Sequence, residues 1–310
     1  AAVARGRGLH SGAEAELTLR AAPRGQGRYL VVYEALEGGG EGRERVVRCE
    51  AAAVASTTLS TALAGEAGEA VQTVEHLLSA LEACGVADAR LELRGGREVP
   101  LLDGSAAPWV EVVRQAQMGV FAAAGGDQGE GQAAGDQQRP RARRLVRPVN
   151  VHEGDAFVVA VPAQIDGARL SYGVDFPHLP AIGEQWFSLA LQPGTAEAAA
   201  EYEAQVAPAR TFTDEATVDA LREAGLIAGG SLDNALVASR DGGWLNPDKV
   251  RFEDTEQARH KLLDLIGDLA LAAPRGMLGV PRGAHIVAYK AGHSLHCKLA
   301  AQLTEACEDE

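Results

Sequence analysis

A chain of 310 residues with 46% hydrophobic residues can bury one large or two medium apolar cores. Its formal charge of −14, from 43 acidic against 29 basic residues, excludes a general nucleic-acid binder, which needs a basic face to displace counterions. No run approaches the roughly 20 apolar residues of a membrane span.

The start, AAVARGRGLHSG, has no long apolar core, so a secretory leader is expected to be absent or already removed. Alternation in AELTLRAA and then YLVVYEAL predicts two strands of a half-buried sheet. Val74, Leu77, Leu78 and Leu81 recur at helical steps, predicting a helix over Val71–Cys84 that stops at Gly85. A strand in ARLELRG, the turn-rich LLDGSAAPW and a helix at Trp109–Met118 complete a first domain, 1–118. The stretch 119–144 is Gly/Gln/Ala-rich and then basic, and reads as a linker. Its arginines Arg139, Arg141, Arg143 and Arg144 read as a solvated tether.

The remainder, 145–310, repeats the plan. Strands are predicted in LVRPVNVHE, FVVAVPA, LSYGVDF and AHIVAYKA, and helices around Asp214–Ala224, Glu256–Ala273 and Ser294–Ala306. Each half reads as a sheet with helices on one face, so the fold class is α+β with two two-layer units. Four cysteines, Cys49, Cys84, Cys297 and Cys307, form no CxxC pair, which argues for a reducing compartment and against a thiolate metal site.

Three groupings carry possible chemistry. His260 and Asp264 stand four apart on the long helix, with Asp268 four further on, so all three share one face. Spacing leaves two readings: a divalent-metal pair, or the wet side of an amphipathic helix. Glu75-His76 offers a base beside a ligand, or simply a surface pair. Lys290 and His293 fall in a loop after a strand, well placed for substrate, and His293 with His296 is also spaced for metal co-ligation. Phosphate-loop, nucleophile-elbow and HExxH patterns are absent from the sequence.

The runs GLHSG, TVEHLLSAL, EVPLLDGSAAPW, ARTF, GGSLDNALV, LNPDKVRFEDTEQARHKLLDLIGDL and KAGHSLHCKL follow in order from Gly8 to Leu299. Together they resemble the zinc-dependent UDP-3-O-acyl-N-acetylglucosamine deacetylases of lipid A biosynthesis. The resemblance implies two similar two-layer α/β sandwich domains packed against each other, with the active site at their interface. It implies Zn²⁺ held by His76, His260 and Asp264, with Glu75 as general base and His293 as a protonated acid oriented by Asp268. Thr211 would help bind the developing oxyanion, Phe212 would pack on the sugar, and Lys261 and Lys290 would face the nucleotide. A segment near 213–244, with Val218, Ile227, Gly230 and Ser231, would form a passage for the acyl chain. The partner implied is the nucleotide-sugar substrate alone, met by a monomer with at most transient contact to a membrane surface. The compartment would be the bacterial cytoplasm, or a mitochondrion or plastid in a eukaryotic host. The family usually has a shorter connection between its halves, a longer first strand, and asparagines where this chain has His296-Cys297. Two other readings remain: a zinc amidohydrolase for a different acylated amino sugar, and a scaffold that binds UDP-sugars without turnover.

Overall fold

The computed structural model describes residues 1–34, 43–124 and 140–309. In the first half, β1 (Ala2–Arg7), β2 (Glu14–Ala21), β3 (Arg28–Glu34) and β4 (Arg43–Arg48) are followed by a small sheet of β5 (Val54–Ser56), β6 (Ala62–Ala64) and β7 (Ala70–Val71). Then come α1 (Glu75–Ala83), β8 (Ala89–Arg94) and α2 (Ala107–Ala124). The main sheet runs β1-β2-β8-β3-β4, antiparallel except where β8 lies parallel to β3. Two-residue periodicity puts Leu17 and Leu19, Leu30 and Val32, Leu91 and Leu93 on one buried face. Each such side chain, fully buried, contributes about 1.5–3 kcal/mol. The first strand pairs with β2 over six positions, Ala2↔Leu19 to Arg7↔Glu14.

The second half holds β9 (Arg141–Leu145), β10 (Val149–Glu153), β11 (Ala156–Pro162), β12 (Ala168–Phe176), β13 (Gly183–Leu191) and α3 (Ala196–Gln205). An insert of β14 (Phe212–Asp214), α4 (Glu215–Glu223) and β15 (Leu236–Ala238) follows. Last come α5 (Glu256–Leu269), β16 (Met277–Arg282), β17 (Ala284–Tyr289), α6 (His293–Ala306) and β18 (Cys307–Asp309). Its main sheet is ordered β10-β11-β17-β12-β13, with β17 parallel to β12 and every other pair antiparallel. That is the topology of the first sheet, strand for strand. The two halves are therefore one plan used twice, with α5 in the place of α1 and α6 in the place of α2.

The two equivalent helices meet. All nine residues of α1 are buried, and its neighbours include α2 and α5. The approach needs a residue without a side chain: a Cβ on Gly267 of α5 would fall 2.1 Å from the Glu75 carbonyl oxygen. A buried ion pair, Arg28–Glu82 at 2.7 Å, ties β3 to α1. The other oxygen of Glu82 accepts the Val280 amide at 2.8 Å and so ties α1 to the second half.

Some boundaries differ from the sequence expectation. The first helix begins at Glu75 because Ala70 and Val71 pair as β7 and Thr73 sits at φ +59, where a right-handed helix cannot start. The expected linker 119–144 lies outside the described residues over 125–139, as does Arg139. At its near end the α2 backbone continues to Ala124. At its far end Arg141–Leu145 is not a tether but β9, paired with β16 and β18. Arg143 donates to Asp309 and to the Thr304 and Cys307 carbonyls, so the strand caps the end of α6. His293 is the first residue of α6 rather than a loop residue.

Candidate metal centre and active site

The N-terminus of α1 supplies Glu75 and His76, and one face of α5 supplies His260, Asp264 and Asp268 at four-residue steps. The turn before α1 is fixed by Glu98, which accepts the Thr73 hydroxyl at 3.0 Å and the His10 and Ser11 amides at 2.8 and 2.9 Å. Asp264 Oδ1 lies 3.6 Å from His76 Nε2 and 3.5 Å from His260 Nε2. All three residues are buried.

The protonation of this set suits a cation. His260 Nδ1 donates to the Ala209 carbonyl at 3.1 Å, which leaves Nε2 as a lone pair turned toward Asp264. Burial lowers the His260 pKa to about 4, so the ring is neutral at pH 7. Burial opposes the charge on Asp264, but Lys261, His260 and His76 outweigh it and hold the carboxyl well below its ordinary range. Asp264 Oδ1 and His76 Nδ1 are nevertheless buried without a hydrogen-bond partner among the described residues. A carboxylate oxygen left bare between two imidazoles is costly unless something positive sits there. Two imidazole nitrogens and one carboxylate oxygen are a common donor set for zinc. The residues fit such an ion.

Asp268, wholly buried, organises a second set. Its Oδ2 accepts from His293 Nδ1 at 2.8 Å and His296 Nδ1 at 2.9 Å, and its Oδ1 accepts the Thr61 hydroxyl at 2.6 Å. Burial works against a charged His293, but Asp268 with Glu75 and Asp264 outweighs it and pushes the pKa up to about 9. Burial also works against the Asp268 charge, which the two histidines restore, leaving its pKa at about 2. Burial raises Glu75, whose Oε2 accepts the Thr61 amide at 3.0 Å. Thr61 thus touches both Glu75 and Asp268.

Glu75, His76, His260, Lys261, Asp264 and His293 line one cavity of about 220 Å³. A second cavity, about 370 Å³, shares Leu9, Leu59, Thr211 and Phe212 with it and continues between α4 and the Ile227–Leu232 loop. Val218, Ile227, Gly230 and Ser231 all line this second space. No residue of α4 is buried, although Val218 and Leu221 form an apolar stripe. The stripe faces a cavity, not a core.

Other sequence expectations land differently. Lys261 donates to Asp264 Oδ2 at 2.7 Å, beside the ligand set rather than away from it. The Lys290 ammonium sits between Asp155 and Asp175, at 2.9 and 3.0 Å, and lines neither cavity. Gly229, next to the expected passage residue Gly230, admits a neighbouring backbone, since a Cβ there would meet the Gly8 carbonyl oxygen at 2.1 Å. All four cysteines are free, and burial raises the Cys297 thiol, which keeps it from serving as a thiolate. Glu98 falls in the run EVPLLDGSAAPW without an assigned role, and Thr61 and Tyr172 fall in no site motif. All three act through hydrogen bonds to residues distant in sequence, which no local pattern encodes.

Residues 1–305 match the family described as UDP-3-O-acyl N-acetylglycosamine deacetylase. The UDP-3-O-acyl-N-acetylglucosamine deacetylase of Trichormus variabilis is 44% identical over 299 residues, 96% of this chain and 94% of that protein. The protein of the same name from Thermosynechococcus vestitus is 45% identical over 301 residues, 97% of this chain and 90% of its own length. The probable UDP-3-O-acyl-N-acetylglucosamine deacetylase 1, mitochondrial, of Arabidopsis thaliana is 41% identical over 306 residues, 97% of this chain and 85% of its own length.

Proposed function

The chain belongs to the UDP-3-O-acyl N-acetylglycosamine deacetylase family, and from that premise we propose how its residues perform the reaction. It hydrolyses the N-acetyl group of UDP-3-O-acyl-N-acetylglucosamine to the free amine and acetate, a step of lipid A biosynthesis. The observation that carries the mechanism is the single cavity where His76, His260 and Asp264 meet Glu75 and His293. Zn²⁺ on the first three residues would supply Lewis acidity and a water of lowered pKa.

The protein's own groups move the protons. Glu75 Oε2 is held by the Thr61 amide, leaving Oε1 to take a proton from the attacking water. Burial keeps this carboxyl more basic than an ordinary glutamate, which suits it to the task. His293 Nδ1 is spent on Asp268, so Nε2 is the atom that gives a proton to the leaving nitrogen. Its positive charge, with the Thr211 hydroxyl, stabilises the oxyanion that forms as the carbonyl carbon becomes tetrahedral. One proton leaves water for Glu75, one leaves His293 for the amine, and the C–N bond breaks between them.

Phe212, at the junction of the two cavities, packs on the sugar. Lys261 supplies positive charge at the rim of the polar cavity, whereas Lys290, neutralised by Asp155 and Asp175 outside both cavities, could reach the nucleotide only by giving up those partners. The apolar cavity takes the 3-O-acyl chain along Val218, Ile227, Gly230 and Ser231, which is why α4 turns its stripe to open space. We take the halves on either side of 125–139, with α2 in the first and β9 in the second, as the two domains and 213–244 as the acyl insert, in a monomer that touches the membrane surface only in passing. No described helix is long and apolar enough to cross a membrane. A bacterial copy would work in the cytoplasm, and a eukaryotic one in a mitochondrion or plastid, as the mitochondrial name of the Arabidopsis relative suggests.

The test is acetate release from UDP-3-O-acyl-N-acetylglucosamine, with and without a chelator, and with zinc restored. Release that is chelator-sensitive and zinc-restored supports the mechanism. Zinc binding without turnover would make the chain a scaffold. Turnover of non-nucleotide substrates alone would make it a different amidohydrolase.

A further inference from the structure

Tyr172 of β12 and His296 of α6 extend the Asp268 network into the core, and both are wholly buried. Their protons can be counted. Tyr172 has one hydroxyl proton, and the Ala291 carbonyl 2.6 Å away can only accept, so that proton is committed. His296 Nε2 lies 2.9 Å from the same hydroxyl oxygen and can bond it only as a donor. On the other side of the ring, Nδ1 lies 2.9 Å from Asp268 Oδ2. A neutral His296 with its proton on Nε2 would turn a bare nitrogen lone pair on a carboxylate oxygen. Two acceptors at that distance repel. The count closes only when Asp268 and His296 together hold one proton more than a carboxylate and a neutral imidazole.

We propose that His296 is a positioning residue that forms a proton-holding pair with Asp268, cancels much of the negative charge facing His293, and so sets the pH at which His293 loses its proton. The groups facing His293 are Asp268 and Asp264 on α5, Glu75 on α1 and His296 on its own helix, with the two imidazole centroids 6.0 Å apart. His296 itself faces Asp268 and Lys261 on α5, His293 on α6 and Tyr172 on β12. Burial pulls the His296 pKa below that of a free imidazole even against the pull of Asp268, and it is the commitment of the Tyr172 proton to Ala291, with acceptors at both ring nitrogens, that calls for the second ring proton. The Thr61 hydroxyl on Oδ1 and the two imidazoles on Oδ2 then hold Asp268 at fixed orientation. The lengths of 2.8 and 2.9 Å at Oδ2 fit charge-assisted N–H···O bonds from two imidazoles to one carboxylate oxygen.

The first test is nitrogen NMR of the imidazoles in the full chain loaded with zinc. Both ring nitrogens of His296 are expected to carry protons from about pH 6 to about pH 8. A bare ring nitrogen on His296 in that range, with Asp268 ionised, overturns the proposal. The second is His296→Asn, which keeps an amide donor for Asp268 and removes the cation. The alkaline limb of its pH–kcat/KM profile is expected to rise by about one to two pH units, the effect of removing a like charge at this distance in an effective dielectric of about 20. An unmoved limb with zinc still bound overturns the tuning. Loss of a second equivalent of zinc in this variant would reassign Asp268, His293 and His296 as a metal site and also overturn it. The kinetic arm rests on His293 being the acid, whereas the NMR arm does not, so a failure of the mechanism and a failure of this proposal are told apart.

Discussion

The two halves share a topology but divide the chemistry unequally. In the first, α1 offers Glu75 and His76 from its opening turn, and α2 buries Trp109, Val110 and Val113 in the core. In the second, α5 presents His260, Asp264 and Asp268 along a whole face, and α6 opens on His293. Neither half holds a complete ligand set. In the proposed mechanism one half brings the base and one metal ligand, and the other brings two ligands, the acid and its carboxylate. Duplicating a sheet-and-helix unit thus creates a site only where the equivalent helices touch, so packing of α1 on α5 is itself part of the active-site geometry.

The sharpest way to break the arrangement is to remove a ligand from the second half. His260→Ala is expected to lose stoichiometric zinc and turnover together, measured by metal analysis and acetate release. Cys297→Ser is the control, since its thiol is raised by burial and not disposed to bind metal. Zinc lost from the cysteine variant would overturn the ligand assignment.

Removing the first half's contribution should look different. Glu75→Gln keeps the Thr61 amide contact possible and leaves the three ligands in place, so zinc is retained while the rate falls by about 10²-fold or more. Near-normal kcat would take Glu75 out of the mechanism. The parent enzyme should show a bell-shaped pH–rate profile, needing the base ionised and the acid protonated, with apparent pKa values that belong to the coupled set. Burial lowers the His293 pKa, but Asp268, Glu75 and Asp264 together outweigh it and push it up to about 9, and a protonated His296 would bring it down, so activity should fall on the alkaline side at or below that value. An alkaline limb well above pH 9 would point to another acid.

The division also decides how much could be read beforehand. His260 and Asp264 stood out because one helical turn separates them, and the strands because two-residue alternation survives any tertiary context. The repeated plan was legible too, but the strand order within it was not, since that depends on pairing partners far apart in sequence. Arg141–Leu145 looked like a tether because its arginines are polar, yet its place is set by β16 and β18. Thr61 and Tyr172 carry no local signature. Their roles exist only after Asp268 is placed between them.

The junction itself can be probed more gently. Gly267→Ala puts a methyl against the Glu75 carbonyl and must push α1 from α5. Stability should fall by about 1–3 kcal/mol, read as a lower denaturation midpoint, and kcat should fall with it because Glu75 and His76 move as a unit. A variant with lowered stability but unchanged kcat would show that the helix contact supports the fold without setting the site.

The smallest effect is expected outside both repeated units, in the insert. Val218 lies on a helix with no buried residue, facing the cavity that joins the metal pocket at Leu9, Leu59, Thr211 and Phe212. A fatty chain there gains about 0.8 kcal/mol for each methylene buried, so affinity should grow with acyl length until the cavity is filled. Val218→Trp occupies that space from the wall. KM for a long-acyl substrate should rise, while a short-acyl analogue, zinc content and thermal midpoint stay close to the parent, because no core contact is lost. Ile227→Trp tests the opposite wall, with the added strain that Ile227 sits at φ +50, where a bulky side chain is already disfavoured. Val218 is therefore the cleaner reporter. If KM for long and short substrates rises equally, the α4 stripe supports the polar cavity rather than the acyl chain, and the chain must leave the site by another route.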